Sequence, residues 1–516
     1  MAIKIVLLII FFFVMIMIGV ATRKKANSVE GFVLGGRSAG PWLTAFGYGT
    51  SYFSAVGFVG HAGQFGDKYG VSATWAGIGN AVIGSLLAWL SLGRRTRVMT
   101  KHLDSQTMPD FFGKRFDSTS LKIAAALISF IFLIPYTASV YNGLSRLFKM
   151  AFDIPYEVCV IVMAALTCIY VILGGYMATV VNDFVQGIIM LFGITAVIVA
   201  VIKSNGGFME SLTTLSQYPS DLAVSEGMQG AFTSFFGPDP LNLLGVVVLT
   251  SLGTWGLPQM VGKFYAIKDE HSIKAGTIIS TIFAIVVAGG CYFLGGFGRL
   301  YSENPAIYSE SGAVAYDAIV PTMLSGLPDI LIGIVVVLVL SASMSTLSSL
   351  VLTSSSSVTL DLVAHVRPNM TEKSKVRMMR LFLIFFIVIS VVLALNPPTF
   401  IAQLMGYSWG ALAGSFLAPF LYGLYWKRTT KAAVWACFIA GVTITVTNMI
   451  FHYIASPINA GALTMLVGLV IVPVVSLLTP KPDKEKIDKI FSGYKEKVTI
   501  EKQYSLEEDE KQASGS

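Results

Sequence analysis

Apolar runs of about 20 residues recur along almost the whole of this 516-residue chain, and each is long enough to cross a lipid bilayer as a helix. Hydrophobic residues make up 54% of the chain and charged residues only 13%, whereas a soluble protein has about 25% charged residues. The sequence therefore predicts an all-α protein that is embedded in the lipid bilayer of the cell membrane.

The loops between these runs predict the orientation of the chain. Thirteen spans are predicted, at residues 3–21, 40–62, 71–93, 121–148, 157–175, 183–203, 241–265, 275–298, 328–363, 379–396, 399–426, 432–454 and 460–478. An odd number of spans places the two termini on opposite sides, and cytoplasmic loops carry the excess of Lys and Arg. One set of alternate loops contains Arg23, Lys24, Lys25, Arg94, Arg95, Arg97, Lys101, Lys114, Arg115, Lys263, Lys268, Lys274, Arg367, Lys373, Lys375, Arg377, Lys427, Arg428 and Lys431. The other set holds only Lys68, Arg146, Lys149, Lys203 and Arg299. We therefore expect the N-terminus outside and a polar, mobile tail in the cytoplasm.

Several function classes find no support in the sequence. The chain has no GxxxxGK[ST] phosphate-binding loop, which argues against an ATP-driven pump. No histidine has Cys, Asp or Glu at metal-ligand spacing, so no zinc site is predicted. The net charge of +7 is spread over the loops, which excludes nucleic-acid binding. A membrane-embedded enzyme would need a nucleophile, a metal site or a pair of acids inside the spans, and the sequence shows none of these.

The second predicted span, 40–62, contains five glycines, and Thr50, Ser51 and Ser54 fall close to mid-membrane. Glycine in a membrane helix allows either close packing against another helix or an unwound stretch. In the second case the span is a discontinuous helix, whose freed carbonyls and half-helix ends hold a ligand.

The seventh predicted span, 241–265, is interrupted by Gly253, Gly256 and Pro258. Pro258 removes an amide donor, and unsatisfied backbone at this depth is tolerated only where it is buried in protein or lines a cavity. If the leading span is set aside, the two interrupted helices are the first and the sixth. That spacing is typical of an inverted five-plus-five repeat.

The ninth predicted span is rich in small hydroxyl residues. Ala342, Ser345 and Thr346 lie at i, i+3 and i+4, and so share one helix face. Ser345, Ser348 and Ser349 repeat the pattern one turn on. Such residues often bond back to their own helix, but a row of hydroxyls facing an unwound carbonyl stretch also supplies the oxygen ligands that a hard cation prefers.

Asp183 is one of very few acids near a membrane-embedded segment. One interpretation is an N-cap for the helix that follows it. The other is a residue on an ion pathway, because acids inside membranes mark such pathways. The sequence leaves both open.

Five sequence motifs resemble those of the sodium/solute symporters, a family of sodium-coupled carriers for sugars, proline, pantothenate, sialate and monocarboxylates. These are FVLGGRSAGPWLTAFGYGTSYFSAVGFVG, GGYMATVVNDFVQG, TWGLPQMVGKFYAIKD, SASMSTLSS and YGLYWKR. The resemblance covers roughly residues 3–478 and is nearest to the pantothenate and monocarboxylate branch. It implies a leucine-transporter-like fold with an extra leading helix. It divides the chain into a leading helix with its cytoplasmic loop (1–39), a first repeat with its outer loop (40–240), a second repeat (241–426), two accessory helices (427–480) and the tail (481–516).

The resemblance also implies sites for the transported sodium ions. The site common to the family would use the backbone carbonyls of Thr50, Phe53 and Ala342 with the hydroxyls of Ser345 and Thr346. A second sodium site, present in part of the family, would use Asp183, Ser345, Ser348 and Ser349. Coupling to two sodium ions is therefore an expectation of the sequence.

Between the two broken helices, the resemblance places the substrate beside Tyr52, Ser54, Ser251, Thr254, Trp255 and Gln259. Sugar carriers have an aromatic residue where Thr254 stands and an amide where Ser251 stands, which argues against a sugar. Proline permeases have an aspartate where Tyr52 stands and aromatic residues at Thr250 and Thr254, which argues against proline. Half-helix ends can hold an anion without an arginine, so we expect a small carboxylate.

The function expected from the sequence is a sodium-coupled symporter that imports a small organic anion by alternating access. We expect the protein to act as a monomer. The alternatives are a symporter for proline or another amino acid and, more remotely, a transporter-like membrane sensor, for which the tail is too short to hold a kinase domain.

Overall fold

The computed structural model describes residues 2–152, 154–309, 312–396, 401–494 and 506, apart from the side chains of Ala2 and Tyr52. This part of the chain is helical and its long helices are Ala2–Thr22, Thr119–Phe152, Tyr156–Ser204, Glu270–Ala284, Asp329–Ser357, Glu372–Leu395, Ile401–Tyr425, Lys431–Phe451 and Pro457–Leu478. Shorter helices include Val29–Leu34, Arg94–His102, Met108–Arg115, Phe208–Gln217, Tyr316–Ser325 and Lys484–Ser492.

Nine helical stretches among the described residues are long and apolar enough to cross a membrane, or ten if one bent pair counts as a span. Two of the nine have 47 and 49 residues, more than twice the ~20 residues that one crossing needs. The 49-residue stretch, Tyr156–Ser204, contains a non-helical residue at Gly175 (φ 53°, ψ −142°). The total of thirteen spans remains a prediction.

Both predicted helix breaks are present. We call residues 41–69 the first broken helix: its α-helix Pro41–Tyr52 ends at Phe53, whose backbone is extended (φ −96°, ψ 105°), and resumes as the π-helical turn Val56–His61. We call residues 240–265 the second broken helix: Pro240–Leu252 and Pro258–Tyr265 are separated by a 3₁₀ turn and by extended Leu257.

The two broken helices are tied together at the end where the basic loops lie. The Ala39 amide donates to the Ala266 carbonyl at 3.2 Å, and the Lys268 amide donates to the Ala39 carbonyl at 3.0 Å. Buried Arg37 adds a hydrogen bond from Nη1 to the Tyr265 carbonyl at 3.0 Å. These contacts fix the start of the first broken helix against the end of the second.

Helix Asp329–Ser357, which we call the hydroxyl helix, lies at the centre of the bundle. It packs against Ala2–Thr22, Thr119–Phe152, Tyr156–Ser204 and the first broken helix. In its most apolar part 78% of the residues are buried, against 17% in the leading helix. Because it is enclosed on all sides, each of its hydroxyl groups must find a partner inside the protein or face a cavity.

The outer faces of the bundle expose large apolar side chains, among them Phe192, Leu241 and Leu478, each more than 75% exposed. Exposed apolar surface on this scale needs a nonpolar environment, which the lipid bilayer supplies.

Three sequence predictions need correction. Asp183 lies inside helix Tyr156–Ser204 and caps no helix start. Lys263, assigned to a cytoplasmic loop, is 2% exposed within Pro258–Tyr265. The tail is not mobile throughout, because Lys484–Ser492 is a helix with buried Ile487 and Phe491. Most of the rest of the tail, and the start of the predicted span 399–426, lie outside the described residues.

Candidate functional site

The break in the first broken helix frees a carbonyl for use by a neighbouring helix. The last carbonyls of any helix have no intrahelical donor, and Thr50 lies in the final turn before the break at Phe53. Its carbonyl oxygen accepts hydrogen bonds from Ser345 Oγ at 3.0 Å and from Thr346 Oγ1 at 3.3 Å. Both donors belong to the hydroxyl helix, so the break is what brings the two elements into polar contact.

The same two hydroxyls also reach a carbonyl of their own helix. Ser345 Oγ lies 3.0 Å from the Ala342 carbonyl oxygen, and Thr346 Oγ1 lies 3.1 Å from it. Thr50, Ala342, Ser345 and Thr346 therefore bring two carbonyl and two hydroxyl oxygens together, all fully buried. We call this group the oxygen cluster. It contains four of the five residues that the resemblance assigns to the common sodium site.

The chemistry of the oxygen cluster suits a hard cation. Such ions take carbonyl and other uncharged oxygens as ligands, and a hydroxyl can turn its proton away and offer a lone pair instead. Phe53, the fifth predicted ligand, is the extended residue of the break and is buried. The structure thus gathers four of the five predicted ligands in one cluster, while their role in binding sodium remains a prediction.

Asp183, assigned to the possible second sodium site, is paired with a cation of the protein itself. Its Oδ2 lies 3.1 Å from Nζ of Lys263, and the two side chains are 0% and 3% exposed. An ideal Cβ on Gly47 would lie 3.4 Å from the carboxylate and 3.6 Å from the ammonium. The buried pair therefore sits where both broken helices meet helix Tyr156–Ser204.

The serines assigned with Asp183 have other hydrogen bonds in this structure. Ser348 Oγ donates to the Ser345 carbonyl at 2.9 Å, within its own helix. Ser349 Oγ lies 2.9 Å from Ser51 Oγ on the first broken helix. Ser349 and Lys263 both line a cavity of about 500 Å³, whose walls also include Gln106, Thr107 and Met108.

The residues predicted to bind substrate are divided among different places. Thr254 Oγ1 donates to the Ser251 carbonyl at 2.9 Å and lies 3.2 Å from the Gly84 carbonyl, while Trp255 Nε1 donates to the Ile83 carbonyl at 2.9 Å. The Gly84 and Ile83 carbonyls belong to the π-helix Asn80–Leu87. Thr254 and Trp255 are therefore engaged in joining two helices.

The remaining predicted substrate residues differ in their surroundings. Ser54 is buried, and its Oγ accepts from the Val56 amide at 3.1 Å. Ser251 Oγ and the side-chain amide of Gln259 have no hydrogen-bond partner among the described residues. Gln259 lines the 500 Å³ cavity together with Lys263. The side chain of Tyr52 lies outside the described part of the structure.

A central cavity of about 260 Å³ lies between the two broken helices, and none of the described residues predicted to bind substrate lines it. Its lining residues are Phe53, Gly57, His61, Asn80, Thr250, Tyr292, Met405 and Trp409. His61 Nε2, Asn80 Oδ1 and Trp409 Nε1 are buried and have no hydrogen-bond partner within the described chain. Because buried polar groups are normally hydrogen-bonded, these three atoms are free to bond to water or to a polar ligand in the cavity.

Sequence reasoning missed Lys263, His61, Asn80 and Trp409. Lys263 follows Pro258 by five residues in the TWGLPQMVGK motif. A lysine so close to the break in a predicted span could have been identified from the sequence as a candidate partner for a buried acid. Asn80 begins the π-helix Asn80–Leu87, which hydrophobicity alone does not reveal. Trp409 reaches the cavity because Gly253 leaves room: an ideal Cβ there would lie 2.7 Å from the Trp409 ring.

Known proteins resemble the chain along most of its length. It is 30% identical over 484 residues to the osmoregulated proline transporter OpuE of Bacillus subtilis, covering 92% of this chain and 94% of the relative. It is 32% identical over 447 residues to the sodium/proline symporter of Escherichia coli, covering 84% and 85%.

Among solved structures, a Na⁺-coupled sialic acid symporter in a substrate-bound outward-open state matches with a TM-score of 0.73 at 15% identity. The match covers 93% of this chain and 99% of that structure, and it shows the fold. The model of the sodium:solute symporter family matches residues 32–441. The chain therefore belongs to the sodium:solute symporter family.

Proposed function

We propose that this symporter imports proline together with one sodium ion, by alternating access around the two broken helices. The observation that carries the coupling is the oxygen cluster, because it joins the first broken helix to the hydroxyl helix through the Thr50 carbonyl. An ion held by both elements stabilises only the arrangement in which they are together. Sodium binding thereby favours one state of the alternating-access cycle.

Proline is supported by two relatives that are named as proline carriers and that match this chain over most of their length. The central cavity supports a solute of this kind. The cavity is small in this structure, and three polar atoms on its walls, His61 Nε2, Asn80 Oδ1 and Trp409 Nε1, have no hydrogen-bond partner among the described residues. Trp409 Nε1 can donate a hydrogen bond to a carboxylate oxygen, and Asn80 can accept one from the protonated imino nitrogen.

A small monocarboxylate is the second candidate, and it carries forward the preference expected from the sequence. The described residues that line the central cavity include no aspartate or glutamate to pair with a substrate ammonium. Tyr52 stands where the resemblance places an aspartate in proline permeases. A carboxylate without an amine would need only the donors of this cavity. Membership of the pantothenate and monocarboxylate branch remains a prediction.

Lys263 supports coupling to a single sodium ion. The family-derived second site uses the charge of Asp183, and that charge is already balanced by the Lys263 ammonium at 3.1 Å. A second sodium ion at Asp183, Ser345, Ser348 and Ser349 would meet the buried Lys263 ammonium. It would either displace this ammonium or add a second cation next to it at Asp183 Oδ1, which has no hydrogen-bond partner among the described residues. The cost of leaving that ammonium unpaired is several kcal/mol, so we propose that the pair stays intact through the cycle.

Uptake of radiolabelled proline into proteoliposomes under an inward sodium gradient tests the function. Sodium-dependent uptake that pyruvate and lactate do not inhibit is the expected result. Sodium-dependent pyruvate or lactate uptake, with no proline uptake, would establish the second candidate instead. If a sodium gradient drives uptake of none of proline, pyruvate and lactate, coupled transport of these solutes is overturned and a role such as sensing is favoured.

Trp409→Phe tests the cavity assignment, because it removes one N–H donor and keeps an aromatic ring. The KM for the substrate should rise about 10-fold, as expected for one hydrogen bond to a charged group. The apparent sodium affinity should stay the same. Trp435→Phe is the matched control, since Trp435 packs beside Phe438 on helix Lys431–Phe451 and does not line the central cavity.

The arrangement in the membrane follows from the same proposal. The N-terminus lies outside, the basic loops and the C-terminal tail face the cytoplasm, and two inverted five-helix repeats (40–240 and 241–426) move relative to each other. The helices at 427–480 are accessory, and the monomer is the transporting unit. Cysteine labelling of Lys68→Cys and Lys373→Cys from either side of intact cells tests the orientation.

A further inference from the structure

A large cavity lies at the basic end of the molecule, remote from the two broken helices. Its volume is about 1770 Å³. Its walls come from the loop before helix Thr119–Phe152, the start of Lys431–Phe451, the end of Pro457–Leu478 and the short helix Lys484–Ser492. Because three long helices begin or end here, the cavity lies at the level where a membrane helix meets the lipid headgroups.

The charge of this cavity is strongly positive. Its basic lining residues are Lys114, Arg115, Lys431, Lys481, Lys486 and Lys489, against the acids Asp117 and Asp483. Asp117 is paired with Lys486 at 2.8 Å, and this hydrogen bond and charge hold the pKa of the Asp117 carboxyl below its usual value. Asp483 caps the short helix that follows, accepting from an amide at 2.9 Å. Lys431 and Lys481 have no ion pair among the described residues.

Two further features add to the attraction for an anion. Helix Lys431–Phe451 begins at the cavity, and the N-terminus of a helix carries partial positive charge. Arg115 is 1% exposed and donates from Nε to the Gly423 carbonyl at 2.9 Å, while its Nη1 has no partner in the described chain. The cavity therefore has buried and exposed cations together.

Apolar side chains lie beside these charges. Those lining the cavity are Leu103, Phe116, Ile487, Ile490 and Leu506. A free inorganic anion gains nothing from an apolar wall, whereas an amphiphile places its acidic head on the basic residues and its chains on the apolar ones.

We propose that this cavity binds the phosphate headgroup of an anionic phospholipid, with the first part of the acyl chains against the apolar wall. Basic pockets between membrane helices on the cytoplasmic side are suited to such headgroups. The bound lipid would bridge the accessory helices Lys431–Phe451 and Pro457–Leu478 to the short helix Lys484–Ser492. It would thereby stabilise the end of the bundle that carries the tail.

Thermal unfolding of the full-length protein in neutral detergent tests this site, with phosphatidylglycerol, phosphatidylcholine or inorganic phosphate added. Phosphatidylglycerol should raise the Tm, and the other two at equal concentration should not. The double variant Lys431→Gln/Lys481→Gln should weaken the apparent affinity for phosphatidylglycerol about 30-fold. The matched control Lys149→Gln/Lys203→Gln removes two exposed lysines elsewhere and should leave it unchanged.

Equal stabilisation by phosphatidylcholine would show a non-specific lipid effect and overturn the proposal. Equal stabilisation by inorganic phosphate would overturn the assignment to a lipid. Native mass spectrometry of phosphatidylglycerol retained by the protein gives a second readout if the double variant unfolds early. Retention by the double variant equal to that of the control would also contradict the site.

Discussion

Two polar regions beside the hydroxyl helix differ in charge: one contains only neutral oxygen groups, and the other contains a buried ion pair. The oxygen cluster of Thr50, Ala342, Ser345 and Thr346 has no charged side chain and closes on itself through hydroxyl–carbonyl hydrogen bonds. The Asp183 region has a full negative charge that Lys263 already neutralises. An entering sodium ion would meet no cation in the first region, whereas in the second it would meet the Lys263 ammonium. An acid inside a membrane is therefore a weaker candidate for an ion site where a cation of the protein already pairs with it, as Lys263 does with Asp183.

The largest expected effect comes from breaking the buried pair. Asp183→Asn leaves the Lys263 ammonium buried and unpaired, and Lys263→Gln does the same to the carboxylate. Loss of one partner of a buried ion pair costs about 3–5 kcal/mol. Both single variants should therefore show a strongly lowered Tm, and the double variant Asp183→Asn/Lys263→Gln should recover most of the loss.

The exposed pair Lys427–Asp488 gives a matched control, since its side chains are 50% and 47% exposed. Asp488→Asn should change the free energy of unfolding by no more than about 1 kcal/mol. If Asp183→Asn were as mild as Asp488→Asn, the buried pair would not be the structural unit described here.

The next effect concerns the oxygen cluster. Ser345→Ala and Thr346→Val each remove one hydroxyl and nearly preserve the shape of the side chain. Each should raise the sodium concentration for half-maximal uptake about 10-fold or more, as expected when a buried charge loses a polar partner. Ser390→Ala is the control, because Ser390 Oγ is buried and, among the described residues, bonds only to the Phe386 carbonyl of its own helix at 2.9 Å. Unchanged sodium dependence in both cluster variants would sink the site assignment.

The smallest effect is expected at the serines between the two regions. Ser348→Ala and Ser349→Ala remove hydroxyls whose partners here are the Ser345 carbonyl and Ser51. A lost hydrogen bond between neutral groups is worth about 0.5–1.5 kcal/mol, so stability should fall slightly and the sodium Hill coefficient should stay near one. A wild-type Hill coefficient near two that falls toward one in both variants would support the second sodium site instead.

Much of the fold could be predicted from the sequence, because apolar runs and helix-breaking residues act locally. The break at Phe53 follows from glycines within the chain around it, and the interruption before Pro258 follows from the missing amide donor. The positions of Ser345 and Thr346 on one face follow from helix geometry alone. These properties need no knowledge of distant parts of the chain.

The partner of each polar group could not be predicted in the same way. Asp183 and Lys263 are 80 residues apart, and no pattern in the sequence shows that they meet. Thr254 and Trp255 face the carbonyls of Gly84 and Ile83 because a π-helix forms there, which depends on packing. Helical periodicity therefore located the polar residues, and tertiary contacts decided which of them are available to a ligand.

Coupling to a single sodium ion is tested by the number of sodium ions that move with each substrate molecule. Proteoliposomes with fixed sodium and substrate gradients are held at a series of membrane voltages. The voltage at which net uptake of labelled substrate reverses gives the number of sodium ions per substrate. The expected result is a reversal voltage for one sodium ion per substrate, because Lys263 keeps the Asp183 charge balanced. A reversal voltage for two sodium ions per substrate would contradict it, since a second ion would then bind in spite of the Lys263 ammonium beside Asp183.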